Sequence, residues 1–129
     1  MRPTALTAGQ ICLGGLFMSD CLCCSIVAGQ VPSNKLYEDA LCYAFYDIAP
    51  QAPTHFLVIP KAHISSVSAV NSENEAVVGH IFSVIAQLAG QLGLESYRVV
   101  SNIGGQAGQS VLHLHFHVLS GRDMTWPPG

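Results

Sequence analysis

The most regular pattern of apolar positions in the chain lies between residues 72 and 93. Apolar side chains recur there at spacings of three, four and seven, which is the period of a helix with one buried face: Val77, Val78, Ile81, Phe82, Ile85, Leu88, Ala89 and Leu92. Ser72 and Glu75 have the spacing of a capping box, in which each side chain satisfies a free backbone amide. We therefore predict a helix that begins at Ser72, ends at Gly93 and packs on the core.

Shorter apolar runs predict strands. Four runs have the length and composition of strands: 41–46, 55–59, 97–101 and 111–119. A short apolar helix is expected within residues 20–30, with Gly29 as its stop. Because strands and helices are mixed without a regular β-α-β alternation, the pattern predicts an α+β fold with an antiparallel sheet.

The last of these strands carries an unusual set of side chains. His113, His115 and His117 alternate with apolar residues, so an extended strand would place all three imidazoles on one face. The other face would carry Leu112, Leu114, Phe116 and Val118 and pack on the predicted helix. The imidazole row would be about 13 Å long, roughly the reach of a nucleoside phosphate.

Two kinds of chemistry suit such a row. A His-x-His pair on a strand supplies two zinc ligands, and a neutral imidazole is a nucleophile that attacks phosphorus near neutral pH. The glycine-rich loop at residues 104–108 lies just before the row and is expected to present backbone amides to a phosphate. Ser110 adds a hydroxyl donor between this loop and the strand.

Composition limits the class of protein. The chain has 129 residues, of which 50% are hydrophobic and 10% charged, with a formal net charge of −3. This size and apolar content predict one globular domain, while the few scattered basic residues argue against a polymeric nucleic acid as partner. No apolar stretch is long enough to span a membrane, and five unevenly spaced cysteines favour a reducing, cytoplasmic location over a disulfide framework.

The first 19 residues differ from the rest. We expect residues 1–19 to be a disordered N-terminal extension and residues 20–129 to be the folded domain. An alternative is that the extension is a targeting segment, since it carries Arg2, no acidic residue before Asp20 and an apolar patch.

Several separated segments resemble one family. The His-x-His-x-His segment followed by two apolar residues (113–119) is the signature of the histidine triad proteins, and residues 47–61 resemble that family's ligand-facing strand pair. The segments 108–110 and 126–129 resemble the Hint branch in particular. The resemblance covers about residues 20–129 and implies a five-stranded antiparallel sheet with two helices, joined to a second sheet across a homodimer.

The resemblance also implies an activity. By this resemblance the protein would be a purine nucleoside phosphoramidase, which hydrolyses the AMP–N bond of adenosine 5′-monophosphoramidate or AMP-lysine through a covalent AMP–histidine intermediate and needs no cofactor for catalysis. His115 matches the nucleophile. The other implied site residues are His117 at the α-phosphate, His113 and His55 as supporting histidines, Ser110 near the leaving nitrogen, Asp47 at the ribose with Ile48 beside it, and Asn102 and Gly108 in the phosphate loop.

The cysteines suggest a metal site by the same resemblance. Cys21 and Cys24 match the C-x-x-C of zinc-binding triad proteins, whose remaining ligands match His55 and His113, so a structural zinc on these four residues is expected. The alternative is that both cysteines are packed thiols. Cys23 stands where the Hint branch often has an aromatic residue, which implies a different base pocket.

Two other functions stay open at this point. The first is a nucleotide-binding regulatory or scaffold protein with little turnover, since binding and catalysis share one pocket. The second is a zinc hydrolase in which the histidine row binds a catalytic metal.

Overall fold

The computed structural model describes residues 21–129, so the expected N-terminal extension lies outside the described residues. A short helix α1 (Leu22–Val27) precedes three strands, β1 (Lys35–Glu38), β2 (Cys42–Tyr46) and β3 (Thr54–Pro60). Helix α2 (Glu75–Gln91) follows, and β4 (Tyr97–Val100) and β5 (Phe116–Ser120) complete the fold. Neither helix in this part of the chain is long and apolar enough to cross a membrane.

The strands form one antiparallel sheet in the order β1-β2-β3-β5-β4. The expected α+β fold, a five-stranded antiparallel sheet with two helices, is therefore confirmed. Strand β1 was not among the strands that the apolar runs predict. Its four residues alternate poorly, and a register irregularity between Lys35 and Tyr37 interrupts its pairing with β2.

The two faces of the sheet are covered by different helices. On one face, Phe56 and Val58 of β3 and Phe116 and Val118 of β5 pack in the same core cluster as the buried side chains of α2. On the other face, Tyr43 and Ile59 pack with Cys23 and Ile26 of α1. Helix α1 is only six residues long.

Helix α2 begins later than predicted, and the capping-box prediction is wrong. Asn74 is the N-cap and Glu75 is the first helical residue, so Glu75 cannot reach back to the helix start from the third position. The turn is closed instead by Asn71, whose amide donates to Asn74 Oδ1 over 2.7 Å. The predicted end is confirmed: Gly93 takes a φ of 71°, and the Leu94 amide donates to the Ala89 carbonyl.

The histidine segment is extended over only part of its length. Strand β5 begins at Phe116, so the prediction of one strand over residues 111–119 is wrong for its first half. Those residues contact the end of β3 and the segment after it. The Leu114 amide donates to the Ile64 carbonyl, and His113 Nε2 lies 2.9 Å from the carbonyl of Pro60, the last residue of β3. As a result Leu112, predicted to pack on the core, is 69% exposed, whereas Leu114 is buried as predicted.

Asp39 fastens the β1–β2 hairpin to α2. One carboxylate oxygen accepts from His80 Nε2 over 2.6 Å and from the Tyr37 hydroxyl over 2.8 Å, and the other accepts from the Leu41 and Cys42 amides. Burial alone would raise the pKa of Asp39, but these hydrogen bonds outweigh it and hold the pKa well below the usual carboxyl range. His80 therefore has a structural partner away from the histidine triad.

Candidate active site

A mainly apolar pocket of about 230 Å³ lies beside α1 on its face of the sheet. Two elements supply most of its apolar wall, the helix residues Leu22, Cys23 and Ile26 and the strand residues Phe45 and Leu57. The polar groups at this pocket are Ser33, Asn34, Tyr46, Asp47 and His115. An apolar wall with a few polar groups suits a flat, partly apolar ligand that carries a polar or charged end.

His115 is the member of the triad that lines this pocket. Its Nδ1 lies 2.6 Å from the His113 carbonyl oxygen, which only accepts hydrogen bonds. Nδ1 therefore carries the proton, and in the neutral ring Nε2 keeps its lone pair. The Ser101 hydroxyl donates to the His115 carbonyl over 2.9 Å and fixes the backbone at the same residue.

His55, His117 and Asp47 meet because their strands are neighbours. β3 and β5 are adjacent and antiparallel, with His55 opposite Leu119 and Leu57 opposite His117, so His55 and His117 share a sheet face. Asp47 follows β2, and its amide donates to the His55 carbonyl. His55 Nε2 lies 2.9 Å from His117 Nδ1 and 3.5 Å from Asp47 Oδ2.

These contacts determine where the protons lie. The Gln51 amide donates to His55 Nδ1 over 3.0 Å, so in the neutral ring the proton of His55 is on Nε2. That proton is donated to His117 Nδ1, which leaves the proton of His117 on Nε2. The chain of contacts therefore makes His117 Nε2 a hydrogen-bond donor, whereas His115 Nε2 is an acceptor. The centroids of the two rings lie 5.1 Å apart.

The electrostatic environment keeps the imidazoles of His55 and His117 neutral. Burial lowers the pKa of His55, and the nearby Asp47 carboxylate only partly opposes this. Burial, with the neighbouring His115 and His55, lowers the pKa of His117 to about 4. Both rings are consequently uncharged near neutral pH, as the proton arrangement requires.

The glycine-rich loop uses most of its amides internally. The Ala107 and Gln109 amides both donate to the Gly104 carbonyl, and the Gly108 amide donates to the Gly105 carbonyl. Gly108 has a φ of +100°, and a Cβ there would lie 3.5 Å from the Asn102 side chain. The loop therefore brings Asn102 and Gly108 together, but it presents fewer amides to a ligand than its sequence suggests.

His113 lies apart from the other two triad members. It is fully buried, and its ring points to a cluster formed with Cys21, Cys24 and His63. The prediction that all three imidazoles share one row is therefore wrong for His113. His113 precedes β5, and its ring lies against Cys21 and Cys24 at the start of α1, with Nε2 at the Pro60 carbonyl.

This cluster has the dimensions of a tetrahedral zinc site. His113 Nδ1 lies 3.3 Å from Cys21 Sγ, 3.6 Å from Cys24 Sγ and 3.2 Å from His63 Nδ1, and Cys24 Sγ lies 3.3 Å from His63 Nδ1. Zinc bonds of about 2.0–2.3 Å to nitrogen and sulfur place tetrahedral ligands roughly 3.3–3.8 Å apart. Two cysteines and two histidines at this spacing fit zinc when both sulfurs are thiolates. In this structure Cys24 is disulfide-bonded, so the set fits zinc only after that bond is reduced. The contact from His113 Nε2 to the Pro60 carbonyl orients that ring as outer-shell partners of zinc histidines do.

His55 does not belong to this cluster, which corrects the expected ligand set. It lies near the start of β3, beside Asp47 and His117, whereas the cysteines are near the other end of that strand. His63 follows the end of β3 and occupies the position expected for His55. Sequence reasoning missed His63 because a lone histidine after a strand has no spacing signal. The segment Pro60-Lys61-Ala62-His63 becomes informative only when the β3–β5 register is known.

Comparison with known proteins identifies the family. Residues 28–124 match the HIT domain family. The chain belongs to the HIT domain family. A curated HIT-like protein of Synechococcus elongatus, described as uncharacterized, is 48% identical over 105 residues, which cover 81% of this chain and 92% of that protein.

Solved structures of HIT proteins have the same fold. A HIT family hydrolase from Legionella pneumophila Philadelphia 1 is 45% identical with a TM-score of 0.83, covering 85% of this chain and all of that chain. A histidine triad nucleotide-binding protein from Candida albicans is 34% identical with a TM-score of 0.72, covering 84% of this chain and 83% of that chain. The chain thus has the fold of HIT family hydrolases, with His115 of its histidine triad at the apolar pocket.

Proposed function

We propose that this HIT protein is a purine nucleoside phosphoramidase of the Hint type. It hydrolyses AMP–N bonds, as in adenosine 5′-monophosphoramidate or AMP-lysine, through a covalent AMP–histidine intermediate. The observation that carries the proposal is the orientation of His115, whose protonated Nδ1 is held by the His113 carbonyl while its ring lines the pocket. A buried imidazole held in this tautomer is a nucleophile aimed by the backbone.

The first step of the proposed reaction transfers AMP to His115. The lone pair of His115 Nε2 attacks the α-phosphorus, the N–P bond forms and the P–N bond to the amine breaks. The electron pair of that bond goes to the leaving nitrogen, which takes a proton from solvent through the Ser110 hydroxyl. The Nε2–H of His117 donates to a phosphoryl oxygen, where negative charge accumulates.

The second step releases AMP. A water molecule attacks the same phosphorus, the bond to His115 breaks and its electron pair returns to Nε2. The water gives up a proton to solvent, so the enzyme regains its initial protonation. No step requires a metal or an organic cofactor.

Substrate binding follows from the pocket. The base is proposed to lie against the apolar wall near Cys23, which is smaller than the aromatic residue common at this position. Burial and the nearby Cys21 raise the pKa of Cys23 to about 12, so it stays an uncharged thiol. Asp47, with Ile48 beside it, would hold the ribose, and Asn102, Gly108 and Ser110 would adjoin the phosphoryl group.

Replacing Asp47 with alanine is expected to weaken AMP binding by about 1–3 kcal/mol, because a charged hydrogen bond to the ribose is lost. The loss should be smaller for 2′-deoxy-AMP, measured by isothermal titration calorimetry. The Ala49 amide donates to Asp47 Oδ1 over 2.8 Å, and Asp47→Asn keeps an acceptor for it while removing the charge. This variant therefore shows whether the loss of affinity comes from the missing charge or from a changed loop. Glu73→Ala, an exposed carboxylate before α2, is the matched control. Equal effects on both nucleotides would contradict the ribose role.

We also propose that the cysteine–histidine cluster holds a structural zinc in the reduced protein, in which Cys24 is a thiolate and not part of a disulfide bond. When bound, the ion would tie α1 to the segments after β3 and before β5, and His113 would hold it while its carbonyl orients His115. Burial lowers the pKa of His113 to about 3, so the ring is in the neutral form that binds a metal.

His63→Asn is expected to remove most of the bound zinc, whereas the matched change His55→Asn should leave the zinc content unchanged. The reason is that only His63 lies beside both His113 and Cys24. Metal content per chain, measured by elemental analysis of protein purified with zinc and a thiol-free reductant that keeps Cys24 reduced, gives the result. Zinc lost from His55→Asn and retained in His63→Asn would overturn the ligand set.

A homodimer is part of the proposal. Ile48 and Trp126 are 98% and 80% exposed in the single chain, which is unusual for large apolar side chains. A second copy that extends the sheet would cover such residues. The C-terminal segment with Trp126 would then lie near the partner's pocket.

A further inference from the structure

Gln109 directly follows the glycine-rich loop at residues 104–108, and its side chain makes three hydrogen bonds. Its Oε1 accepts from the Gly104 amide over 2.9 Å, and its Nε2 donates to the Ser65 carbonyl over 2.8 Å and to the Val111 carbonyl over 3.1 Å. The residue is only 9% exposed. Its carboxamide therefore uses its acceptor and both of its donors inside the protein.

These three bonds join the start of the loop to Val111 at the pocket and to the segment after β3. Gly104 begins the loop, Val111 lines the pocket, and Ser65 lies two residues beyond His63. The Gln109 backbone also donates to the Gly104 carbonyl, so side chain and backbone together close the loop on itself. Gln109 is thus the point at which the loop is fixed to the segment after β3.

The next residue gives this fixation a functional consequence. Ser110 is exposed, and its amide and hydroxyl make no hydrogen bond within residues 21–129, so they are available to a ligand. Its position is set on one side by Gln109 and on the other by Val111, whose carbonyl accepts from Gln109. Loss of the carboxamide would leave the Gly104 amide and the Ser65 carbonyl without these partners and release the loop.

We infer that Gln109 is a positioning residue, which holds the 104–110 loop so that Ser110 faces the phosphoryl group bound at His115. The inference rests on the proposed function, because the proposed nucleotide supplies that phosphoryl group. Gln109 itself does not touch the substrate. Its effect is therefore expected on the phosphate part of the ligand and not on the nucleoside part.

The test compares AMP with adenosine, which lacks the phosphate. Gln109→Met keeps the length of the side chain and removes all three bonds. Gln109→Glu keeps the acceptor for Gly104 but turns a carboxylate oxygen toward two carbonyl oxygens. We expect both variants to bind AMP about tenfold more weakly, the effect of losing one to two net hydrogen bonds, and adenosine within about twofold of wild type.

Two controls separate positioning from general destabilisation. Gln87→Met makes the same chemical change on the exposed face of α2. Ile85→Val removes one buried methylene from the core and so lowers the stability without touching the loop. Both should bind AMP and adenosine like wild type. In the Gln109 variants, amide NMR should show faster hydrogen exchange at Gly104 than in either control.

One set of outcomes tests the positioning role of Gln109, and another tests the proposed function. Equal weakening of AMP and adenosine, or no weakening of either in both Gln109 variants, would overturn the positioning role. A wild-type chain that binds AMP more tightly than adenosine without hydrolysing a phosphoramidate would refute the proposed function alone. The AMP-to-adenosine ratio of the variants would then still decide the role of Gln109.

Discussion

Replacing His115 with alanine is expected to lower phosphoramidate hydrolysis by about 10³-fold or more, because the nucleophile that forms the covalent intermediate is lost. AMP binding should change little, since the apolar wall, Asp47 and His117 remain. Steady-state release of the amine from AMP-lysine measures the first effect, and calorimetry with AMP measures the second. His115→Gly should behave in the same way.

The matched control for this prediction is His80→Ala. His80 lies on α2 and hydrogen-bonds Asp39, away from the pocket, so its loss should leave kcat close to that of wild type while the protein stays folded. Activity in His115→Ala equal to that in His80→Ala would remove His115 from the mechanism. A chain that binds AMP tightly but never turns over would favour the regulatory or scaffold function instead.

The second large effect is expected at His117. Its replacement by alanine should lower kcat by about 10²–10³-fold, the usual effect of removing one donor to a developing anionic oxygen, with a smaller change in KM. The donor must carry its proton on Nε2, and the contacts through His55 to the Gln51 amide place it there. A merely structural role for His117 would instead lower the stability and leave kcat of the folded fraction unchanged.

Nitrogen NMR of the labelled imidazoles tests the proton arrangement directly. At neutral pH, His55 and His117 should both be neutral with the proton on Nε2, and His117 should take up a second proton only near pH 4. Because the folded-state pKa values of both rings are lowered, the unfolded chain binds these protons first, near the ordinary imidazole pKa of about 6.5. Stability should therefore fall as the pH decreases from about 6.5 toward 4. A proton on Nδ1 of His117 at neutral pH would contradict the arrangement.

Much of the fold could be predicted from local pattern. The apolar period of α2 and the apolar runs of β2, β3 and β4 give elements whose bounds differ from the structure by a few residues at most. Strand β1 was missed because its pairing partner, β2, and not its own alternation, makes it a strand. The predicted capping box of Ser72 and Glu75 does not form, because Asn71 and Asn74 close this turn and Glu75 is already the first residue of the helix.

The site was predictable in composition but not in geometry. Alternation correctly predicted that Leu114, Phe116 and Val118 are buried and that His117 lies on the opposite face from them. It could not show that the backbone leaves the strand before Phe116, which sends His113 to the cysteine cluster. The exchange of His55 for His63 has a different origin. His55 lies near the start of β3 beside His117 and Asp47, whereas His63 lies beyond the end of β3 beside Cys24 and His113. No local pattern revealed Gln109 as the side chain that fixes the loop.

The central claim is that AMP becomes covalently attached to His115 before it is released. Rapid quenching of a single turnover with an AMP–N substrate, followed by peptide mapping with mass spectrometry, measures this directly. The account predicts an AMP adduct on His115 that forms before free AMP appears and is absent from His115→Ala. Free AMP in the first turnover with no adduct at any time, or an adduct on a different residue, would contradict it.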